Sequence, residues 1–401
     1  MKPISLYVHI PFCVKKCLYC DFLSFPIGDR SAYNMEKYVD ALINELRLWQ
    51  YAFQESMDGE PLCFKSVFIG GGTPTCLPPE LLYKIGNEIK KFISADTEFT
   101  IEANPGTITD EHIKIFKKIL INRVSLGLQS ANDNELKCLG RIHSFNEFLD
   151  SFHMLRHSGF KNINIDLMSN IPKQTVKSYE NTLKEVMSLS PEHISAYSLI
   201  IEPDTPFEKL WESGKLDIAD EETDRQMYKL TKELLKEYGY YRYEISNYCK
   251  PGRECIHNIS YWTGNNYLGI GLGASSYING IRFSATRDYN NYICANEQIP
   301  FTLQVKKNIW KEIAKSREEY TELTVQNRME EFMFLGLRLC RGVSQKEFYN
   351  RFGKTLFEIY GRQIEYFLRN NLLIEDANSD RIYLSDRGID ISNYVLSDFI
   401  L

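Results

Sequence analysis

Short runs of apolar and β-branched residues alternate with longer amphipathic segments from the start of the chain to about Tyr240. A short apolar run is typical of a buried strand, whereas apolar positions three and four residues apart predict a helix. The alternation of the two predicts βαβ units around a parallel sheet. The predicted strands are Ser5–Ile10, Ser66–Ile69, Phe99–Glu102, Arg123–Leu128, Asn162–Leu167 and His193–Leu199.

Helical patterns lie between these strands and after the last of them. They cover Tyr33–Tyr51, Pro79–Phe92, Asp110–Ile119, Phe145–His157, Val176–Met187 and Asp220–Tyr238. Six parallel strands with crossover helices predict an α/β fold, an incomplete (β/α)6 barrel. Functional residues in such a barrel are expected at the carboxyl ends of the strands, where the loops meet.

The periodic pattern changes in the last two fifths of the chain. A Gly- and Asn-rich stretch follows Tyr240, and three helical patterns with a short strand pair then predict a small, helical, winged-helix-like domain. These helices are predicted over Thr324–Leu339, Ser344–Arg351 and Thr355–Asn370, with the strand pair over 372–384. We expect a barrel over residues 1–240, an irregular extension over 241–320 and a C-terminal domain over 321–401. The last would be a lid or a partner site.

Composition and charge narrow the class of protein. The chain has 401 residues, 43% of them hydrophobic, which is enough for a sizeable core. No apolar run approaches the ~20 residues of a membrane span, and the N-terminus lacks a signal-peptide pattern, so we expect a cytoplasmic protein. A net charge of -6 does not favour binding to the negatively charged backbone of nucleic acid, so we do not expect nucleic acid as a partner.

Ten cysteines in a chain without an export pattern indicate metal binding rather than disulfides where they cluster. Cys13, Cys17 and Cys20 follow the first predicted strand at a spacing of CxxxCxxC. Three thiols hold a cubane and leave one iron open, whereas a structural zinc site takes four ligands. His9 is the candidate fourth zinc ligand, although zinc sites usually show paired CxxC units.

The flanking residues add a family resemblance. Tyr7-x-His9-Ile10-Pro11-Phe12-Cys13-x3-Cys17-x-Tyr19-Cys20 resembles the opening of the radical S-adenosylmethionine (SAM) proteins related to oxygen-independent coproporphyrinogen III oxidase. The resemblance implies a 4Fe-4S cluster on the three cysteines, with the open iron binding the amino and carboxylate groups of SAM. It also implies that an injected electron splits the SAM sulfonium to a 5'-deoxyadenosyl radical.

Other residues match the family's contacts to SAM and to a second ligand. The turn Gly70-Gly71-Gly72-Thr73-Pro74 lacks the features of a P-loop, and by itself it could be only a tight turn. Four polar residues also end or follow successive strands, where a barrel brings them to one mouth. By the resemblance, the contacts are Tyr7, Tyr19, Gly71, Gly72, Thr73, Glu102, Gln129, Arg141 and Asp166.

A second motif, Cys255-x-His257-Asn258-x2-Tyr261-Trp262, points to heme. His is a common axial ligand of heme iron, and aromatic rings stack on a macrocycle. The motif resembles the HNxxYW motif of the HemW-type heme chaperones, a branch of the same family, which implies that His257 ligates heme. The alternatives are a histidine satisfied by its neighbours in a loop, and Cys255 as the iron ligand.

Two features favour the chaperone branch. Oxidases of the family carry a further cysteine two places after the third ligand, where this chain has Phe22 after Asp21, and they carry an N-terminal extension for which the early motif leaves no room. We therefore expect a heme chaperone that passes heme to a soluble or membrane-bound acceptor hemoprotein, with the cluster and SAM acting in control or release. The alternatives are a coproporphyrinogen III oxidase, and a radical SAM enzyme that methylates or opens heme or another tetrapyrrole.

Overall fold

A computed structural model describes residues 4–28, 33–56, 62–297, 309–376 and 378–401. Its centre is a set of six parallel strands that lie side by side in chain order. We number these barrel strands 1 to 6: Ile4–Ile10, Phe64–Gly71, Glu98–Ala103, Arg123–Gln129, Ile163–Ser169 and His193–Ser198. The predicted incomplete (β/α)6 barrel is confirmed.

The two faces of these strands have different roles. Along strand 1, Leu6, Val8 and Ile10 are fully buried in the main hydrophobic core. Because successive side chains of a strand point to opposite faces, Tyr7 and His9 project to the other side, into the barrel. The outward face therefore supplies the apolar packing against the helices, and the inward face carries polar chemistry.

The helices around the barrel begin close to the predicted positions. Several start at a Ser, Thr or Asp whose side chain accepts a backbone N–H of the first turn, as at Thr109, Ser144, Thr175 and Asp220. They cover Met35–Ser56, Pro79–Ile89, Asp110–Lys118, Phe145–His157, Val176–Ser188 and Glu221–Glu237. Two short helices, Asp133–Cys138 and Pro206–Glu212, were not predicted.

In the stretch predicted as irregular, 241–320, the described residues 241–297 and 309–320 instead extend the sheet at both edges. Tyr267–Ile270 pairs with strand 1, and Asn247–Cys249 pairs with strand 6, so that the sheet has twelve strands in the described part of the chain. The remaining added strands are Tyr241–Arg242, Ser275–Ile278, Ile281–Ser284 and Glu319–Glu322. These strands have two to four residues each and are separated by Gly and Asn turns, so they show no period that a sequence pattern can detect. The same stretch holds the helices Ile256–Trp262, Tyr289–Glu297 and Ile309–Lys315.

The C-terminal domain has its own hydrophobic core, built around Met333, Phe348, Tyr360 and Phe367. Its elements follow the predicted order of three helices and a strand pair. They are Val325–Gly336, Val343–Ser344, Gln345–Phe352, Leu356–Arg369, Leu373–Asp376, Arg381–Leu384, Asp386–Asp390 and Ser392–Ser397. None of the helices in the described ranges has the length and apolar content that crossing a bilayer requires.

Candidate functional site

The three motif cysteines lie on a loop at the carboxyl end of barrel strand 1. Cys13 is buried, and Cys17 and Cys20 are half-buried. The loop is held on both sides, because the Ile27 N–H donates to the Cys13 carbonyl at 2.8 Å and the Leu18 N–H donates to the Leu139 carbonyl at 3.0 Å. The thiols are therefore presented at the barrel mouth by a loop whose path is fixed by backbone hydrogen bonds.

The glycine-rich turn after strand 2 packs directly against this loop. The Gly72 N–H donates to the Ile10 carbonyl at 2.8 Å, and the Thr73 N–H donates to the Phe12 carbonyl at 2.7 Å. A side chain at Gly71 would start 2.4 Å from the His9 ring, and the backbone there has a φ of +105°, so only glycine fits. The Thr73 hydroxyl lies 3.5 Å from the Cys13 sulfur and donates to it.

Arg141 links the cysteine loop to the ends of strands 3 and 4. Its Nη1 lies 3.6 Å from the Cys17 sulfur, and its Nη2 donates to Asn104 Oδ1 at 2.7 Å and to the Gly127 carbonyl. Asn104 in turn donates to the Thr73 hydroxyl at 2.7 Å. Two of the three thiols thus have a polar donor beside them, which suits sulfur that carries negative charge.

Two carboxylates face the interior of the barrel near the mouth. Burial, reinforced by the charge of Asp166, raises the pKa of Glu102 to about 7, although Glu102 accepts the Gly71 N–H at 3.0 Å. Burial also raises the pKa of Asp166, against the effect of hydrogen bonds that include one of 2.7 Å from Asn164. The site therefore concentrates carboxylate oxygens that are poorly hydrated and available to a positively charged or hydroxyl-bearing ligand.

The other predicted contacts lie in the same region. Gln129, at the end of strand 4, accepts a hydrogen bond from the Tyr197 hydroxyl at 2.8 Å. Burial raises the pKa of Tyr197, and the charges of Asp166 and Tyr19 raise it further. Tyr7 lies within electrostatic range of Glu102, whose charge adds to the burial that raises the Tyr7 pKa. The structure thus brings the predicted SAM-contact residues to one mouth. Sequence reasoning missed Asn104 and Tyr197, although both stand at the carboxyl ends of predicted strands.

His9 is not turned toward the cysteines. Its Nε2 lies 2.7 Å from the Leu23 carbonyl and its Nδ1 lies 3.0 Å from the Tyr7 hydroxyl. Since a carbonyl only accepts, Nε2 donates and Nδ1 accepts from Tyr7. With both ring nitrogens engaged, His9 does not serve as the fourth ligand that the zinc alternative needs. Among the described residues, no three or more His, Cys, Asp or Glu side chains are arranged so that they could bind one metal ion together.

The donor set fits an iron-sulfur cluster. Three thiolates are the ligands that leave one iron of a cubane open. Thr73 donates a hydrogen bond to the Cys13 sulfur and Arg141 donates one to the Cys17 sulfur, and both offset the negative charge of a thiolate. The glycines of the turn after strand 2 keep the space beside the loop free of side chains. Burial raises the pKa of Cys20 to about 11 in the chain without metal, so binding must release its proton.

The second motif lies at the other end of the barrel. His257 is in the short helix Ile256–Trp262. The carboxylate of Glu98, the first residue of strand 3, accepts hydrogen bonds from the first N–H groups of this helix. The Ile256 N–H and the His257 N–H donate to it at 3.1 and 3.0 Å. The helix therefore begins at the amino ends of the strands, and the His257 ring reaches into the barrel to within 6.4 Å of the Tyr7 ring. Sequence reasoning missed Glu98, because nothing local connects it with a helix almost 160 residues later.

His257 is enclosed in this conformation. It is 1% exposed, its Nδ1 lies 3.0 Å from the Ser66 hydroxyl, and its Nε2 lies 2.9 Å from the Tyr261 hydroxyl. Burial, followed by the charge of Arg123, lowers its pKa to about 3, so the ring is neutral. This is the geometry of a histidine satisfied by its neighbours. Ligation of heme by His257 stays a prediction, and it would require at least one of these hydrogen bonds to break. Cys255 is fully buried as well, with its thiol 3.6 Å from Glu98.

Comparison with known proteins adds the following similarities. The pattern of the radical SAM superfamily matches residues 7–186, and that of the HemN C-terminal domain matches residues 323–391. The heme chaperone HemW of Bacillus subtilis (strain 168) is 35% identical over 401 residues, covering 99% of each chain. The heme chaperone HemW of Lactococcus lactis subsp. lactis (strain IL1403) is 35% identical and covers 100% of this chain and 98% of that protein.

A solved structure shares the fold. Coproporphyrinogen III oxidase (HemN) from Escherichia coli, described as a radical SAM enzyme, superposes with a TM-score of 0.79 at 20% identity. The match covers 99% of this chain and 90% of that one, so the similarity includes both the barrel and the C-terminal domain.

Proposed function

The chain belongs to the HemW family of radical SAM proteins, and on that premise we propose that it is a heme chaperone. It binds heme, holds a SAM-ligated 4Fe-4S cluster and passes heme to an acceptor hemoprotein, soluble or membrane-bound, in the cytoplasm. The observation that carries this proposal is the 35% identity to a heme chaperone over 99% of both chains. Similarity along the whole length includes the mouth, the second motif and the C-terminal domain together.

The cluster is proposed on Cys13, Cys17 and Cys20. What supports it is the shared loop of the three thiols, together with the donors that Thr73 and Arg141 present to Cys13 and Cys17. When bound, a cluster of this kind supplies an electron to the sulfonium of SAM. The chain's own contribution is to hold the thiols, to offset their charge and to leave one side of the loop open to a ligand.

The SAM site is proposed on the residues around that loop. The turn at Gly71, Gly72 and Thr73 offers a close approach to backbone because glycine side chains are absent. Glu102 and Asp166 supply acceptors for ammonium and hydroxyl groups, and the Arg141 guanidinium suits a carboxylate. The remaining proposed contacts are Tyr7, Tyr19 and Gln129.

One observation favours a catalytic alternative. The residues proposed to bind the cluster and SAM all lie together at the barrel mouth. A protein that only carried heme would need none of these groups for binding heme, so turnover of SAM on a tetrapyrrole is the second candidate function. Phe22, which is exposed, stands at the position where the oxidases of the family carry their further cysteine. That departure argues against coproporphyrinogen oxidation.

Anaerobic reconstitution of the cluster followed by two parallel assays tests the proposal. The protein is supplied with SAM and a reductant, and with either coproporphyrinogen III or heme. We expect stoichiometric heme binding and no protoporphyrinogen. Formation of protoporphyrinogen would establish the oxidase instead, and a methylated or opened heme product would establish a tetrapyrrole-modifying enzyme.

A further inference from the structure

A series of three buried serine hydroxyls ends at the ring of His257. At the far end of the series, the Ser260 hydroxyl donates to the Ile256 carbonyl at 3.0 Å. The Ser5 hydroxyl donates to Ser260 Oγ at 2.9 Å, and the Ser66 hydroxyl donates to Ser5 Oγ at 2.8 Å. Because a hydroxyl has a single proton, none of the three serines has another one to donate.

This series determines which nitrogen of His257 carries the proton. Ser66 gives its own proton to Ser5, so in the 3.0 Å contact between Ser66 and His257 the Nδ1–H donates and the hydroxyl accepts. Burial lowers the pKa of His257, so the ring is neutral and has one N–H. Its Nε2 is therefore unprotonated and carries a lone pair, the form in which imidazole binds a metal ion.

The hydroxyl of Tyr261 covers this lone pair and donates to Nε2 at 2.9 Å. Tyr261 lies one helical turn after His257, so the two side chains share a face, and their rings meet edge to face with centroids 5.0 Å apart. Ser66 is fully buried in strand 2, whereas Tyr261 is half-buried. Tyr261 is therefore the neighbour of His257 that can turn away without disturbing a strand.

Aromatic rings of the barrel interior lie next to His257. The ring of Phe68 is 5.2 Å from the histidine ring and that of Tyr7 is 6.4 Å from it, and both side chains are half-buried. Aromatic faces pack well against a flat, apolar macrocycle. The nitrogen that Tyr261 covers thus stands beside apolar surface, which suits a heme.

Cys255, the alternative ligand, is not prepared for iron in the same way. Its thiol donates to the Glu98 carboxylate at 3.6 Å. Burial raises the pKa of Cys255 to about 12, so the sulfur keeps its proton, whereas a metal ligand is a thiolate. The hydrogen bonds around the motif therefore favour His257 over Cys255.

We propose that His257 binds heme iron through Nε2, and that the Tyr261 hydroxyl is a cap which has to leave this nitrogen first. Ser66 keeps its hydrogen bond to Nδ1 in the complex, where it orients the ring and makes Nε2 a stronger ligand. The proposal rests on the proposed function, because it states how the chain ligates heme if it binds heme. It assigns a positioning role to Ser66 and control of access to Tyr261.

Titration of the full-length protein with ferric heme, followed at the Soret band, tests the cap. Tyr261→Phe keeps the ring and removes the hydroxyl, so heme no longer competes with a hydrogen bond, and we expect the dissociation constant to fall about fivefold. Tyr267→Phe is the matched control, because Tyr267 packs edge-on against Tyr261 at 4.6 Å while its hydroxyl bonds to Arg282. The control should bind heme as the wild type does. An unchanged or higher dissociation constant in Tyr261→Phe would overturn the cap.

Ser66→Ala provides an independent arm with the opposite sign. It removes the acceptor of the Nδ1–H, so we expect the dissociation constant to rise about fivefold. The iron–histidine stretching band of the ferrous heme complex, measured by resonance Raman spectroscopy, should move to lower frequency because the ligand becomes less basic. A band identical to that of the wild type would show that Ser66 does not hold Nδ1 in the complex, and would overturn the proposal.

His257→Ala separates this proposal from the proposed function. We expect this variant to lose most of its heme affinity. If the wild type binds heme and His257→Ala binds it equally well, the cap and the Nε2 ligand are both wrong although the chaperone function stands. If the wild type binds no heme, both proposals fail.

Discussion

Replacing Glu98 by alanine should loosen the helix that carries His257. The Glu98 carboxylate is 7% exposed and accepts the Ile256 and His257 N–H groups. In Glu98→Ala both buried donors lose their acceptor, at roughly 1 to 3 kcal/mol each, so the loss is on the order of 2 to 6 kcal/mol. Glu98→Gln keeps one acceptor and loses the negative charge at the helix N-terminus, which predicts roughly half that loss.

Amide hydrogen exchange in the peptide covering 255–263, together with urea unfolding, measures this effect. We expect faster exchange in that peptide in Glu98→Ala, with Glu98→Gln between it and the wild type. Glu365→Ala is the control, because that carboxylate is 59% exposed and pairs only with Arg369, so its removal should cost less than about 1 kcal/mol. If exchange and the unfolding midpoint of Glu98→Ala equal those of the wild type, the carboxylate does not hold the helix.

Three further predictions concern the barrel mouth. Alanine at any one of the three loop cysteines should abolish the absorption near 400 nm after anaerobic reconstitution, whereas alanine at the exposed Cys63 should retain it. Gly71→Ala should lower SAM affinity at least tenfold in equilibrium binding, because the added Cβ would lie 2.4 Å from the His9 ring. Gly159→Ala is the control: its backbone φ is also positive, at +91°, but no atom lies within 4 Å of the added Cβ, so SAM binding should be unchanged. The pKa of Glu102 is about 7, above its ordinary value of 4.5, so the folded protein holds this proton more tightly than the unfolded chain. The stability of the metal-free protein should therefore fall by on the order of 3 kcal/mol as pH rises from about 4.5 to above 7. Melting curves of Glu102→Gln should lack this fall.

The barrel could be predicted because its signals are local. Strand 1 is apolar along one face, and helices such as Phe145–His157 begin at a capping residue, Ser144, which a sequence pattern reveals directly. The cysteine loop was equally accessible, since its three ligands lie within eight residues at a specific spacing. Each of these features is specified by neighbours in the chain.

What the sequence did not reveal depends on contacts between distant residues. Glu98 holds a helix that begins at Ile256, and the strand Tyr267–Ile270 is ordered by pairing with strand 1 at the other end of the chain. The enclosure of His257 by Ser66 and Tyr261 likewise follows from the tertiary fold, whereas the motif alone left open both heme ligation and a histidine satisfied by its neighbours. Long-range hydrogen bonding overrides local pattern at all three places.

Transfer of heme tests the central claim most directly. The reconstituted protein is loaded with one equivalent of heme, separated from free heme and mixed with an apo-hemoprotein, and the Soret spectra of donor and acceptor are followed with time. The account predicts that the chain loses its heme as the acceptor gains it, with no modified tetrapyrrole formed. A chain that cannot be loaded with heme, or that converts it to another product, would contradict the account.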